Sequence, residues 1–295
     1  MLPPVTIYTT PDDIKYVLYG SPSRSYSEVI SDEIRKKGVW NKGCLDFCDK
    51  VLGSYKEPMR VIDVGGGLGS FSIPLAIKYA NRHIFSSYEP MHSLYLQLCA
   101  NVLLNNLSNV KTYNTALADF ADTLDAPILD VERCANHGSY SFIENINFLR
   151  GMAVDGPKEP FEFRTLDSYR FAKVGLLKVS APGMELQVLK GASETIISSG
   201  FPPILTEAWS IDWYKDQKQK IIEFFQSHGY EHYCMMGEHI MAFKTQDQYN
   251  SIMENVQQNN NVINTSRVDN TTGEFSINER NHDIEQVLQN QVPRQ

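Results

Sequence analysis

No stretch of the chain approaches the twenty consecutive apolar residues of a membrane-spanning helix. The first residues, MLPPVTIYTTPDD, carry prolines where a secretory leader needs an apolar core, so the reading is a soluble, cytoplasmic protein with no membrane span. Basic residues are also scarce: 27 Lys and Arg against 35 Asp and Glu leave a net charge of -8. A global field of that sign repels a phosphate backbone and makes a nucleic-acid partner unlikely. Cysteine is sparse as well, with five scattered residues (Cys44, Cys48, Cys99, Cys134 and Cys234). An odd, unpatterned set fits reduced thiols better than a disulfide framework or a zinc site, and no metal ligands are expected.

What is present suits one large α/β unit: 295 residues, 42% hydrophobic and 21% charged. Short apolar runs alternate with helical spacing. Strands are expected at Arg60 to Val64, His83 to Tyr88 and Val110 to Asn114, with helices at Phe71 to Ala80 and Ser93 to Asn105 between them. This β-α-β-α-β order implies a parallel sheet with helices on both faces. Further strands are expected at Val174 to Val179 and Pro203 to Glu207, and helices at Met184 to Ser198 and Lys218 to His228. Two strand-like runs then meet at Gly237-Glu238, a hairpin signal that puts an antiparallel pair at the end of the sheet. Residues 1–30 read as an N-terminal extension and 31–245 as the main domain. Within it, 120–165 has weak periodicity and reads as an insertion around an acceptor site. Residues 246–295 are Asn- and Gln-rich and read as a flexible tail, with one short helix near Ile284 to Leu288.

The chemistry centres on VIDVGGGLGS, Val61 to Ser70. A dinucleotide fingerprint requires G-x-G-x-x-G, and counting from Gly65 its third glycine is Ser70. A phosphate-binding P-loop requires Lys followed by Ser or Thr, which is absent here. The spacing is instead D-x-G-x-G-x-G, from Asp63 through Gly65 and Gly67 to Gly69, that of the first S-adenosylmethionine (SAM) motif in class I methyltransferases. Glycines let the backbone approach the methionine moiety, and an acid at the strand end can organise its ammonium. A second acid is expected some twenty residues on, where it can accept from both ribose hydroxyls. Glu89, in SYEP, occupies that place.

The order VIDVGGGLGSFSIPLA, YEP, NVLLNNLSNVKTYNTALAD, RTLDSY, LLKVSAPGMELQVLKGA and PPILTE resembles the FkbM-type methyltransferase family from about Asp32 to Lys244. The resemblance implies a Rossmann-like class I fold: a mostly parallel seven-stranded sheet ending in an antiparallel hairpin. It also implies SAM-dependent methylation of a hydroxyl, often on a sugar or glycan. By position, Asp63, Gly65, Gly67 and Gly69 would line the methionine end, Glu89 and Pro90 the ribose, and Ala116 to Asp119 the adenine.

One departure bears on catalysis. Where the family's fourth strand runs into K-I-D-x-E-G-x-E, this chain has Lys178-Val179-Ser180-Ala181-Pro182-Gly183-Met184-Glu185. Two carboxylates suited to binding a cation or accepting a proton are thereby replaced by Ser180 and Pro182. The remaining candidates for the base are Glu185, which could equally cap the helix beginning near Gly183, His137 in the NHGSYS loop, and Glu207. Trp209, Trp213 and Tyr214 could form a sugar-stacking wall or simply core. Two readings follow: a SAM-dependent O-methyltransferase, or a silent methyltransferase fold that serves as a binding or structural protein. The sequence leaves the acceptor and the oligomeric state open.

Overall fold

The computed structural model describes residues 4–20, 28–130, 133–134, 136–152 and 154–257. The described chain opens on a hairpin the sequence reading passed over. Strands β1 (Val5–Thr9) and β2 (Lys15–Tyr19) pair antiparallel, with Val5 opposite Tyr19. Two helices follow, α1 (Val29–Lys37) and α2 (Lys42–Ser54). The Glu28 carboxylate caps α1 by accepting the N–H groups of Ile30 and Ser31, and Gly38, at φ +77°, ends it. On α2 the buried stripe is Cys44, Leu45, Phe47, Cys48, Val51 and Leu52. Cys44 and Cys48 are thus successive turns of a core-facing helix.

The expected β-α-β-α-β run is present as β3 (Arg60–Val64), α3 (Ser72–Lys78), β4 (Ile84–Tyr88), α4 (His92–Leu104) and β5 (Val110–Tyr113). Helix α4 also anchors the N-terminal hairpin: Asn101 Oδ1 accepts the Val17 N–H at 2.5 Å, and Gln97 Nε2 donates to the Val17 carbonyl at 2.7 Å. The expected insertion folds as a lobe built on β6 (Ala116–Leu117), β7 (Asp122–Pro127), α5 (Glu144–Leu149) and β8 (Lys158–Arg164), with strand order β6-β8-β7.

The chain then re-enters the main sheet at β9 (Val174–Val179), every residue of which is buried, as expected of a central parallel strand. The helix expected over Met184 to Ser198 is broken into α6 (Glu185–Lys190) and α7 (Ser193–Ser198). Two contacts explain the break. A Cβ on Gly191 would lie 1.9 Å from the Ala118 carbonyl oxygen, so α6 ends pressed against the lobe. The Asp167 carboxylate, from RTLDSY, then accepts the N–H groups of Glu194 and Thr195 and starts a new helix.

Strand β10 (Ile204–Glu207), helix α8 (Lys215–Ser227) and the hairpin β11 (His232–Met236) and β12 (His239–Phe243) complete the sheet. Its order is β5-β4-β3-β9-β10-β12-β11, with β12 alone running against the direction of the other six. One face packs Val61, Phe85, Leu205 and Met241 against α2; the other packs Ile62, Leu177, Ile204 and Ile240 against Leu186, Ile221 and Phe225.

The tail reading needs correcting at its start. Helix α9 (Gln246–Gln257) continues from the sheet, with Ile252 and Met253 buried and Tyr249 packed on the core. Positions 249, 252 and 253 share one helical face, a stripe outweighed by the polar composition around it. The short helix expected near Ile284 lies outside the described residues. Among the described residues no helix is long and apolar enough to cross a membrane.

Candidate functional site

From β3 the chain extends the sheet in one direction through β4 and β5, and from β9 in the other through β10. The carboxyl ends of β3 and β9 therefore flank the switch point at which open α/β sheets hold ligands. A cavity of about 490 Å³ opens there.

At its floor the glycine turn is fixed by backbone contacts. Gly65 and Gly66 both donate to the Tyr88 carbonyl at 2.9 Å, and Ser180 N–H donates to the Val64 carbonyl at 3.0 Å. Gly65 has φ +72°, and a Cβ there would meet the Ser180 carbonyl oxygen at 1.8 Å, so no other residue fits. Gly67, at φ +54°, has open space on its Cβ side and lines the cavity. Its N–H donates to Glu89 Oε2 at 2.8 Å, while Met91 N–H donates to Oε1 at 2.9 Å. Glu89 is 6% exposed; burial pushes its carboxyl up to about 7, against the pull of those two N–H bonds. Asn114 Nδ2 donates to the carbonyls of Glu89 and Pro90, each at 2.9 Å, and so holds the YEP turn in place.

Of the residues expected at the cofactor end, Gly65, Gly67, Glu89, Pro90, Ala116 and Leu117 line this cavity, and Asp63, Gly69, Ala118 and Asp119 do not. Asp63 is fully buried: Lys178 Nζ lies 2.9 Å from its Oδ1, and its Oδ2 accepts from Ser72 and Ser87 at 2.6 and 3.0 Å. Its carboxylate is spent inside the sheet, on a lysine that also donates to the carbonyls of Val64 and Gly65. Gly69, at φ +90°, shapes the turn from behind, packed on Ile73. Asp119 is exposed on the lobe.

The other end of the cavity is polar and aromatic. His137, a sequence candidate for the base, is 2% exposed; it lines the wall with its ring edge-on to Tyr19 at 5.6 Å. Glu185 is a correction: it is fully buried outside the lining, where Tyr214 Oη donates to its Oε2 at 2.8 Å. Burial, and next the charge of Glu207, raise its carboxyl well above the ordinary 4.5. Trp209, Trp213 and Tyr214 do cluster, with ring centroids 4.8 to 5.9 Å apart, but only Trp209 faces the cavity. Cys44 lines it too, yet burial pushes its thiol up to about 12, which removes it as a nucleophile.

Two polar residues of this end escaped the sequence reading. Arg150, at the end of α5, donates from Nη2 to Ser139 Oγ at 2.7 Å and stacks 4.3 Å over the Trp209 ring, tying lobe to core. His239 opens β12 directly opposite Glu207, and both line the cavity. The hairpin signal at Gly237-Glu238 carried the β11–β12 pairing; that β12 also pairs with β10, in the register that opposes His239 to Glu207, did not follow from it. Among the described residues no group of three or more His, Cys, Asp or Glu is placed to hold a metal ion.

No family model matches the chain. The tRNA(Phe) (4-demethylwyosine(37)-C(7)) aminocarboxypropyltransferase of Methanocaldococcus jannaschii is 29% identical over 119 residues, which make up 39% of this chain and 45% of that protein. The match therefore spans less than half the length of that relative. Among solved structures, methyltransferase FkbM from Methylobacillus flagellatus is 15% identical with a TM-score of 0.44, over 66% of this chain and 48% of that one. The M. jannaschii TYW2 in complex with AdoMet is 15% identical with a TM-score of 0.37, over 82% and 85%. In strand order and direction, this chain has the Rossmann-like class I methyltransferase fold.

Proposed function

We propose that the chain is a SAM-dependent O-methyltransferase acting on a hydroxyl of a sugar, glycan or other small acceptor. The observation that carries this reading is the joining, in one cavity, of the open Gly67 turn held by Glu89 to a polar end lined by Ser180, Glu207, His239 and Trp209. The residues suit the ligand. The turn offers backbone at close approach with no phosphate-binding lysine, and Glu89 presents a carboxylate to a pair of hydroxyls. Bound SAM supplies a methyl group activated by its sulfonium. This chain orients the acceptor toward it, since proximity and orientation provide much of the acceleration in a displacement. The FkbM-type resemblance supports a hydroxyl acceptor.

A second reading follows from the name of the M. jannaschii relative, in which an aminocarboxypropyl group goes to tRNA. The net charge of -8 weighs against an RNA acceptor here. A third, a silent fold that binds without turnover, is motivated by Ser180 and Pro182.

Calorimetry with SAM, followed by product analysis over panels of sugars and of tRNA, separates the three. Methyl transfer releases S-adenosylhomocysteine, and aminocarboxypropyl transfer releases methylthioadenosine. A silent fold binds SAM and releases neither. Absence of SAM binding defeats the proposal outright.

A further inference from the structure

The strand registers set five residues in one row across the carboxyl edge of the sheet. Val64 lies opposite both Tyr88 and Val179, and Val179 lies opposite Thr206. The residues that follow them, Glu89, Gly65, Ser180 and Glu207, are therefore level, and Glu207 is in turn the direct partner of His239. With neighbouring strands about 4.8 Å apart, the row runs about 19 Å from Glu89 to His239. All five line the same cavity. The row thus begins at the acid of the cofactor end and finishes on a carboxylate and an imidazole, beyond the serine that stands where the family has its aspartate.

Residues directly opposed in an antiparallel pair share a face, with Cβ atoms about 5 Å apart. Glu207 and His239 are such a pair. Across its own hairpin His239 is the direct register partner of Met236, whose backbone favours the charged ring. The charged groups acting on it are Glu207 from β10 and Glu238 from its own hairpin, which favour the imidazolium, and Lys178 from β9, which opposes it. Burial is the largest influence and lowers its affinity for a proton below that of an ordinary imidazole. His137 also lines the cavity, but from the lobe and off this row.

We propose that His239, backed by the Glu207 carboxylate, takes the proton from the acceptor hydroxyl, a role the residues at 180 and 182 cannot fill. This rests on the methyl-transfer reading above. The hydroxyl oxygen bonds to the methyl carbon as the carbon–sulfur bond breaks, and the electron pair of that bond stays on sulfur. The hydroxyl proton passes to a ring nitrogen of His239. The imidazolium is held beside Glu207 until solvent removes the proton.

The test has two arms, the first independent of any acceptor. Imidazole nitrogens of the full-length, ligand-free protein are titrated by NMR, with His239→Gln identifying the resonance. The His239 midpoint is expected below 6.5 and at least threefold lower in proton affinity in Glu207→Gln. A midpoint indifferent to that substitution overturns the dyad. The second arm follows tritiated methyl transfer from SAM to a sugar panel. His239→Gln is expected to lower kcat by roughly 100-fold or more with SAM affinity unchanged. Glu207→Gln is expected to move the acid limb of the pH profile to lower pH. Transfer by His239→Gln at the wild-type rate overturns the proposal. If the wild type binds SAM but methylates none of the panel, the titration alone decides. Failure to bind SAM at all is a different result, and counts against the methyl-transfer reading.

Discussion

Glu89 Oε2 accepts the Gly67 N–H at 2.8 Å, so the residue that follows β4 holds the turn that follows β3. The same carboxylate faces the cavity, and its protonation therefore governs both the turn and whatever occupies the space beside it.

That coupling predicts a pH-dependent ligand site. Burial raises the Glu89 carboxyl to about 7, and only the ionised form is an acceptor to two hydroxyls at once. SAM affinity measured by calorimetry should rise as pH increases through about 7. Glu89→Gln should bind about tenfold or more weakly, as expected for the loss of a hydrogen bond to a charged group, and with no such dependence. The sign for folding is opposite. The folded value lies above the unfolded one, so the folded state binds more protons between about 4.5 and about 7, and stability falls as pH rises through that window. Denaturant midpoints recorded against pH should show this slope in the wild type and lose it in Glu89→Gln.

Asp63 is expected to act through folding. With Lys178 Nζ 2.9 Å away and the lysine 11% exposed, removing the acid leaves a nearly buried cation facing only carbonyls. Asp63→Asn should cost about 3–5 kcal/mol in urea unfolding. Replacing both partners, Asp63→Asn with Lys178→Met, should recover a large part of that loss, because the uncompensated charge is then gone. A double variant as unstable as the single one would mean that the hydroxyl bonds of Ser72 and Ser87, and not the ion pair, dominate.

Glu185 should tolerate neutralisation. Burial raises its carboxyl well above the ordinary 4.5, Oε2 accepts from Tyr214 Oη, and a glutamine keeps a carbonyl acceptor in that place. Because its folded value lies above the unfolded one, stability is fullest below about 4.5 and falls as pH rises toward the folded value. Glu185→Gln should be at least as stable as the wild type at pH 8 and should bind SAM equally well. A large loss of SAM affinity would place this carboxylate at the ligand after all.

The sheet was legible because its signals are local: each strand is a short apolar run, and the elbow is a run of glycines. Asp63 and Glu89 look alike in sequence, each an acid at a strand end. They differ because Lys178, Ser72 and Ser87, residues distant in the chain, converge on the first, while backbone N–H groups and open cavity meet the second. His239 was hidden for a related reason. Its chemistry depends on being opposite Glu207, and a shift of one residue in the β10–β12 register would turn it to the other face. Helix α9 was missed because three apolar positions among polar neighbours lower the average without erasing the stripe.

That stripe yields a direct test. Ile252 and Met253 are 3% and 6% exposed, and Tyr249 packs edge-on against Phe243 of β12 at 5.9 Å. If α9 is part of the folded domain, Ile252→Ala should destabilise it by about 2–4 kcal/mol, the usual cost of cutting a buried isoleucine to alanine. A substitution on the opposite face, Ser251→Ala, should change little, because that side chain is exposed. Equal and negligible effects on the unfolding midpoint would return this segment to the tail, whereas a loss confined to Ile252 extends the domain through α9, which touches α2, β11 and β12.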